Sequence, residues 1–121
     1  MRLGIADIEK GAKQNMELLF VILQEEDLPG LSGDLIRSRI PATRFLTEGL
    51  YLNKRNVTLM IGIEKDREEE IFSCIRKNCT ERMEEREVLE YNGSFMENII
   101  KQVKIGGAVV FIMESGKMKK F

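Results

Sequence analysis

Apolar residues fall along this chain in runs whose spacing switches between two and three or four, and each switch marks a new element. Residues 16–23 (Met-Glu-Leu-Leu-Phe-Val-Ile-Leu) form an almost unbroken apolar run, bounded by the acidic Glu25, Glu26 and Asp27. Such a run predicts a strand buried on both faces. Pro29-Gly30 reads as a turn, after which Leu31, Leu35, Ile36 and Ile40 share one side of a helix that Ser32 or Asp34 helps to start. Pro41 is expected to end it, because the residue before a proline is pushed toward extended geometry. Residues 40–63 then predict a long hairpin. A β-branched and aromatic strand leads into a looping turn at residues 49–55, and Val57, Leu59, Ile61 and Ile63 alternate with Thr58, Met60 and Gly62 on the way back.

Helical spacing returns after the hairpin. Asp66 with Glu69 three residues on resembles a capping box. Ile71, Cys74, Ile75 and Asn78 or Cys79 make one apolar stripe, while Glu68, Glu69, Glu70, Arg76 and Lys77 face water. The pattern weakens over residues 80–104, where charges crowd positions 81–90, Val88, Leu89 and Tyr91 suggest a short strand, and Asn92-Gly93-Ser94 marks a turn. Gly106-Gly107 opens a last strand, residues 108–113, that is apolar on both sides. Residues 114–121 read as a polar, lysine-rich tail ending in Phe121. At the other end, Leu3, Ile5, Ile8 and Ala12 suggest a short, weakly amphipathic helix, so residues 1–15 are taken as an extension to a domain of residues 16–121.

Strand, helix, strand, strand, helix, strand is the split βαβ arrangement of an α+β, ferredoxin-like (βαββαβ) sandwich. Two helices cover one face of such a sheet, so in a monomer the other face should be polar. Here the outer strands are apolar on both sides, and the pattern calls for another copy of the chain as cover.

Composition narrows the function. The 121 residues fit a single domain, and 43% hydrophobic with 32% charged residues is an ordinary soluble composition. A net charge of -1, from 19 basic against 20 acidic groups, gives no general attraction to nucleic acid. No window approaches the run of about 18 apolar residues that a membrane span needs. Asp7 and Glu9 fall where a secretory signal would be apolar, so a cytoplasmic protein is expected. Cys74 and Cys79 lie about 140° apart around a helix, which argues against a disulfide between them. With no histidine in the chain, the commonest general base and the usual nucleophile pairs are missing, and two cysteines are too few for a structural zinc site. Neither a metal, a cofactor nor an enzymatic activity is expected.

The hairpin turn is where candidate binding chemistry collects. Tyr51 offers a face on which a purine can stack, Asn56 offers a donor and an acceptor to an adenine edge, and Leu50 adds a side chain where the backbone must approach closely. The same residues also suit a loop tip packed on its own sheet and a turn asparagine. Lys101, Lys104, Lys117, Lys119 and Lys120 provide either phosphate counter-charge or a solvated surface.

One ordered series of residues resembles the PII-like cyclic-di-AMP receptor family. It comprises Ala42-Thr43-Arg44, Gly49, Tyr51-Leu52, Asn56, Thr58, Gly62, the helix after Asp66 ending in Asn78-Cys79, and Gly106-Gly107-Ala108-Val109-Val110-Phe111. The likeness spans about residues 16–79 and 102–121. It implies a homotrimer of ferredoxin-like subunits that binds a cyclic dinucleotide between neighbours and signals to a downstream protein through flexible loops, without catalysis. By the same resemblance Thr43 meets the sugar-phosphate part, Gly49, Leu50, Tyr51 and Leu52 form the loop that binds and stacks on an adenine, Asn56 reads that adenine, Gly62 meets the base through its backbone, and Phe111 is the aromatic of the last strand. Three positions depart from the family: Leu50 replaces the second glycine of a Gly-Gly pair, Pro41 stands where an arginine is common, and Lys120 replaces a glutamine. These departures bear on ligand affinity more than on the fold. The alternative is a PII-like trimeric interaction module without a ligand, working through its loops and its N-terminal extension.

Overall fold

The computed structural model describes residues 11–48, 55–114 and 116–121. Along these residues run β1 (Gly11–Gln14), β2 (Met16–Gln24), α1 (Leu28–Arg37), β3 (Thr43–Glu48), β4 (Arg55–Glu64), α2 (Glu68–Cys79), β5 (Arg82–Asn92), β6 (Phe95–Ile105), β7 (Ala108–Glu114) and β8 (Lys117–Lys120), with short 3-10 turns at Glu25–Asp27 and Lys65–Arg67. The central sheet has the antiparallel order β3-β4-β2-β7. With α1 after β2 and α2 after β4, this is the expected ferredoxin-like arrangement.

Period two along the central strands decides which side chains are buried. Leu19, Val21 and Leu23 of β2 and Val57, Leu59, Ile61 and Ile63 of β4 form the core with Leu28, Leu31 and Leu35 of α1 and Ile71 of α2. The helices meet closely because Gly30 has no side chain: a Cβ there would lie 2.5 Å from Asn78 Oδ1. Asn78 Nδ2 donates to Asp34 Oδ2 at 2.7 Å and to the Cys74 carbonyl at 2.8 Å. Asn78 first, then Arg37, hold the Asp34 carboxyl down at about 2.

Several local expectations are corrected. Pro29-Gly30 is not a turn; both residues sit in the first turn of α1, where proline's missing N–H costs nothing. Asp34 does not start the helix but bridges α1 to α2 from its middle. The helix ends before Pro41, at Arg37, through a Schellman closure. Arg39 takes a left-handed φ of 56°, Arg39 N–H donates to the Ile36 carbonyl, and Ile40 N–H donates to the Leu35 carbonyl. Asp66 makes no capping bond: a 3-10 turn leads directly into α2. Both cysteines are free, and burial pushes the Cys79 thiol up to about 11.

The ends of the chain also differ from expectation. Where residues 11–14 were assigned to a short helix, β1 pairs with β8, which occupies the expected polar tail. Residues 1–10, the rest of that helix, lie outside the described residues. Between α2 and β7 the chain forms one long hairpin, β5–β6, turning at Gly93-Ser94 and paired in a two-stranded sheet of its own. The sequence pattern there predicts the turn and part of β5 alone. Leu89, Tyr91 and Met96 stay exposed toward the hairpin's tip, and Ile100 at its middle. Among the described residues no helix is long and apolar enough to cross a membrane.

One buried group works against the fold. Glu17, 2% exposed, stands beside Glu114 across β2–β7, and its Oε2 has no hydrogen-bond partner. Lys65 Nζ is engaged with Glu114 Oε1 at 2.9 Å. A hydrogen bond to the Glu68 carboxyl, then burial, push the Glu17 carboxyl above the ordinary range. The folded chain therefore holds this proton more tightly than the unfolded chain does. The associated stability is complete below the ordinary glutamate range and is lost as pH rises through the raised value. Glu17→Gln should thus match the parent near pH 4 and melt several degrees higher near pH 8. Parallel melting curves across that range would contradict the assignment.

Candidate functional site

Among the described residues no element covers the face of the central sheet away from the helices, and the strand registers arrange it in rows. Thr47, Asn56 and Gln24 form one row, and Phe45, Thr58, Ile22 and Val109 the next. Thr43, Met60, Phe20 and Phe111 follow, then Gly62, Leu18 and Met113. Their side of the sheet follows from alternation, since Leu19, Val21 and Leu23 are the buried partners of β2. The result is a surface of phenylalanine, methionine and aliphatic side chains with a polar strip along β3 and β4, where Thr47 Oγ1 and Thr58 Oγ1 lie 3.1 Å apart.

Four residues named from the sequence share this face: Thr43, Asn56, Gly62 and Phe111. The first three sit on the adjacent strands β3 and β4, whereas Phe111, 57% exposed, lies on the opposite edge strand. Three strand spacings separate Thr43 from Phe111, roughly 14 Å at about 4.8 Å each. Gly49, Leu50, Tyr51 and Leu52 lie outside the described residues.

At the Asn56 end of the sheet a cleft of about 560 Å³ opens between the strand ends and the end of α2, with Ile22, Gln24, Asn56, Arg76, Gly106 and Val109 in its lining. Its construction follows from the two glycines that lead into β7. Gly106 and Gly107 have φ of 79° and 87°, a region that side chains rarely enter. The turn they make brings Gly106 N–H to Gln24 Oε1 at 2.8 Å and Gly107 N–H to the Cys79 carbonyl. The cleft therefore combines aliphatic walls with two carboxamides in register, Gln24 and Asn56. Arg76 is paired with Glu69. Apolar walls with amide donors and acceptors at one end suit a flat heterocycle with polar edges, such as a purine. Among the described residues, no group of three or more carboxylates, thiols or imidazoles is placed to hold a metal ion.

Sequence reasoning reached Asn56 and missed Gln24. The signal was present: Gln24 is the polar residue that continues the Leu18, Phe20, Ile22 alternation. Gly106-Gly107 was noted as a boundary, without its part in forming the cleft.

With this geometry in hand, comparison with known proteins assigns the class. A PII protein from Arabidopsis thaliana, in a crystal structure with bound citrate, superposes with a TM-score of 0.58 at 15% identity, covering 86% of this chain and 78% of that one; the fold is PII-like. A functionally unknown protein from Pediococcus pentosaceus ATCC 25745 superposes with a TM-score of 0.73 at 28% identity over 90% of this chain and 100% of that one. A family model described as cyclic-di-AMP receptor matches residues 16–121. The chain belongs to that cyclic-di-AMP receptor family and is a PII-like signalling protein.

Proposed function

We propose that this protein is a receptor for cyclic-di-AMP or a related nucleotide, bound between the subunits of a homotrimer, and that it signals through its loops without chemical turnover. The observation that carries this reading is the division of candidate residues between opposite edges of one apolar sheet face. Thr43, Asn56 and Gly62 stand on β3 and β4, and Phe111 stands roughly 14 Å away on β7. A ligand moiety that touches both sets takes them from two chains, and packing the open faces of several copies together would bring such edges close. Loop residues 49–52 would complete the site, with Tyr51 stacking on a base and Asn56 reading its edge. Residues 1–15 are an extension to the receptor domain of residues 16–121, tied to it by the β1–β8 pairing. A cytoplasmic location fits a receptor for a diffusible nucleotide.

Calorimetric titration with cyclic-di-AMP, with ATP and cyclic-di-GMP as controls and the oligomeric mass measured on the same sample, tests this. Selective, saturable binding near one ligand per chain is expected. Tyr51→Ala should lose about 1–3 kcal/mol of stacking, and Asn56→Ala a similar amount of base recognition, with the oligomer intact. Unchanged affinity in both variants would overturn the site assignment. A trimer indifferent to all three nucleotides would leave an interaction module altered at Pro41 and Leu50.

A further inference from the structure

Residues 24–27, the last residue of β2 and the 3-10 turn that leads into α1, hold the root of the β5–β6 hairpin by three of the four. Gln24 Oε1 accepts the Gly106 N–H at 2.8 Å. Glu26 Oε2 accepts from Arg86 Nη2 at 3.1 Å, and Asp27 Oδ1 accepts from Arg82 Nη2 at 2.9 Å. Arg82 and Arg86 share one face of β5, while Gly106 directly follows β6, so the segment grips both strands of the ribbon. Among the described residues the hairpin strands otherwise pair only with each other. A lone two-stranded ribbon is marginally stable in water, so contacts at its root determine where it points.

This grip is incompletely satisfied. Asp27 is 6% exposed, yet its Oδ2 has no hydrogen-bond partner. Arg82 could satisfy it with a two-pronged contact, but its Nη1 donates to the Thr80 carbonyl at 3.2 Å and its Nε to Glu84 Oε1 at 3.4 Å. A modest rotation of the guanidinium would exchange these partners for the second carboxylate oxygen. The root thus holds a buried carboxylate oxygen without a partner beside an arginine already shared with two other acceptors.

The segment's other end is Gln24, which is in register with Asn56 and lines the same cleft. The Gly106 N–H requires the amide oxygen opposite it, which fixes the orientation of the carboxamide. Its Nε2 has no hydrogen-bond partner among the described residues. We infer that residues 24–27 form a clamp coupling the cleft to the hairpin: a ligand acceptor that takes Gln24 Nε2, a ring nitrogen or a phosphate oxygen, fixes the amide against Gly106 and stiffens the hairpin root. Gln24 is then a positioning residue, and the hairpin is the part of the molecule that reports occupancy. This coupling rests on the nucleotide reading of the cleft, whereas the clamp itself does not.

Hydrogen exchange of the full chain separates the two. Without ligand, Gln24→Leu should accelerate exchange at Gly106, Gly107 and the hairpin root about tenfold, the equivalent of one hydrogen bond, while β2 and β4 stay protected. Gln24→Glu keeps the acceptor for Gly106 and should remain close to the parent. With saturating cyclic-di-AMP the parent's hairpin root should slow. In an Arg82→Ala, Arg86→Ala double variant, whose changes lie outside the cleft lining, the hairpin should not respond, and calorimetric affinity should fall by no more than the factor by which ligand slows the parent's root. Equal exchange in Gln24→Leu and the parent would overturn the clamp. Equal slowing in the double variant would overturn the coupling. Absence of calorimetric binding to the parent would sink the nucleotide reading and the coupling with it, leaving the ligand-free comparison to decide the clamp.

Discussion

Phe20→Asp should convert the proposed trimer to monomers while leaving the fold of each subunit intact. Phe20 stands in the centre of the open sheet face, between Met60 and Phe111 in register, and its neighbours along β2 on that face are Leu18 and Ile22. An aspartate there costs a free subunit less than one in the core, because Phe20 is only partly buried in the single chain. In an assembly that covers the face, the same carboxylate would be buried without a partner, a penalty of several kcal/mol per copy. Sedimentation or light scattering should show the parent at three times the chain mass and the variant at one, with matching circular dichroism. Val21 provides the contrast. It is fully buried on the helix side, so Val21→Asp should unfold the chain. A Phe20→Asp protein that keeps its trimeric mass would place the interface elsewhere and remove the reason for bringing Phe111 toward a neighbour's Thr43.

How much of this was legible depended on whether a segment has two chemically different sides. β4 alternates because one face meets the core, and β2 and β7 read as apolar runs because their second face is apolar as well. The two helices were found from their stripes, although α1 was started too late because proline in a first turn looks the same in sequence as proline in a loop. The β5–β6 hairpin gave little signal for a physical reason. One face of β5 is only half-buried and the other is exposed, so neither is reserved for apolar residues, and charged and apolar residues occur on both, as Glu84, Arg86 and Val88 do on one side and Glu85, Glu87 and Leu89 on the other. β1 and β8 are four-residue polar strands, each dependent on the other end of the chain. No local pattern encodes such a pairing.

The candidate site divides along similar lines. Thr43, Asn56 and Gly62 stand together on β3 and β4 because hairpin register follows from the chain's own alternation. Gln24 and Gly106 are 82 positions apart, and their hydrogen bond exists only once β2 and β7 pair. The cleft is thus a product of strand pairing rather than of a contiguous motif.

The glycine at that junction should tolerate no side chain. Gly106→Ala would place a methyl group 2.6 Å from the Thr80 carbonyl oxygen and 2.5 Å from Arg82 Nη1. The arginine end can swing away, but the carbonyl belongs to the chain between α2 and β5 and moves only if the hairpin root moves. A left-handed φ of 79° adds a conformational penalty of its own. Together these should cost about 3 kcal/mol or more, seen as a lower urea midpoint. Gly93→Ala isolates the conformational part, because Gly93 also has a positive φ, 69°, while an added Cβ there meets nothing within 4 Å. Its cost should be nearer 1 kcal/mol. If both variants fall equally, crowding against Thr80 is not what demands glycine at 106. If Gly106→Ala alone falls steeply and also loses protection from hydrogen exchange at the hairpin root, the turn that shapes the cleft and the root that holds the hairpin are one structural unit under a single backbone constraint.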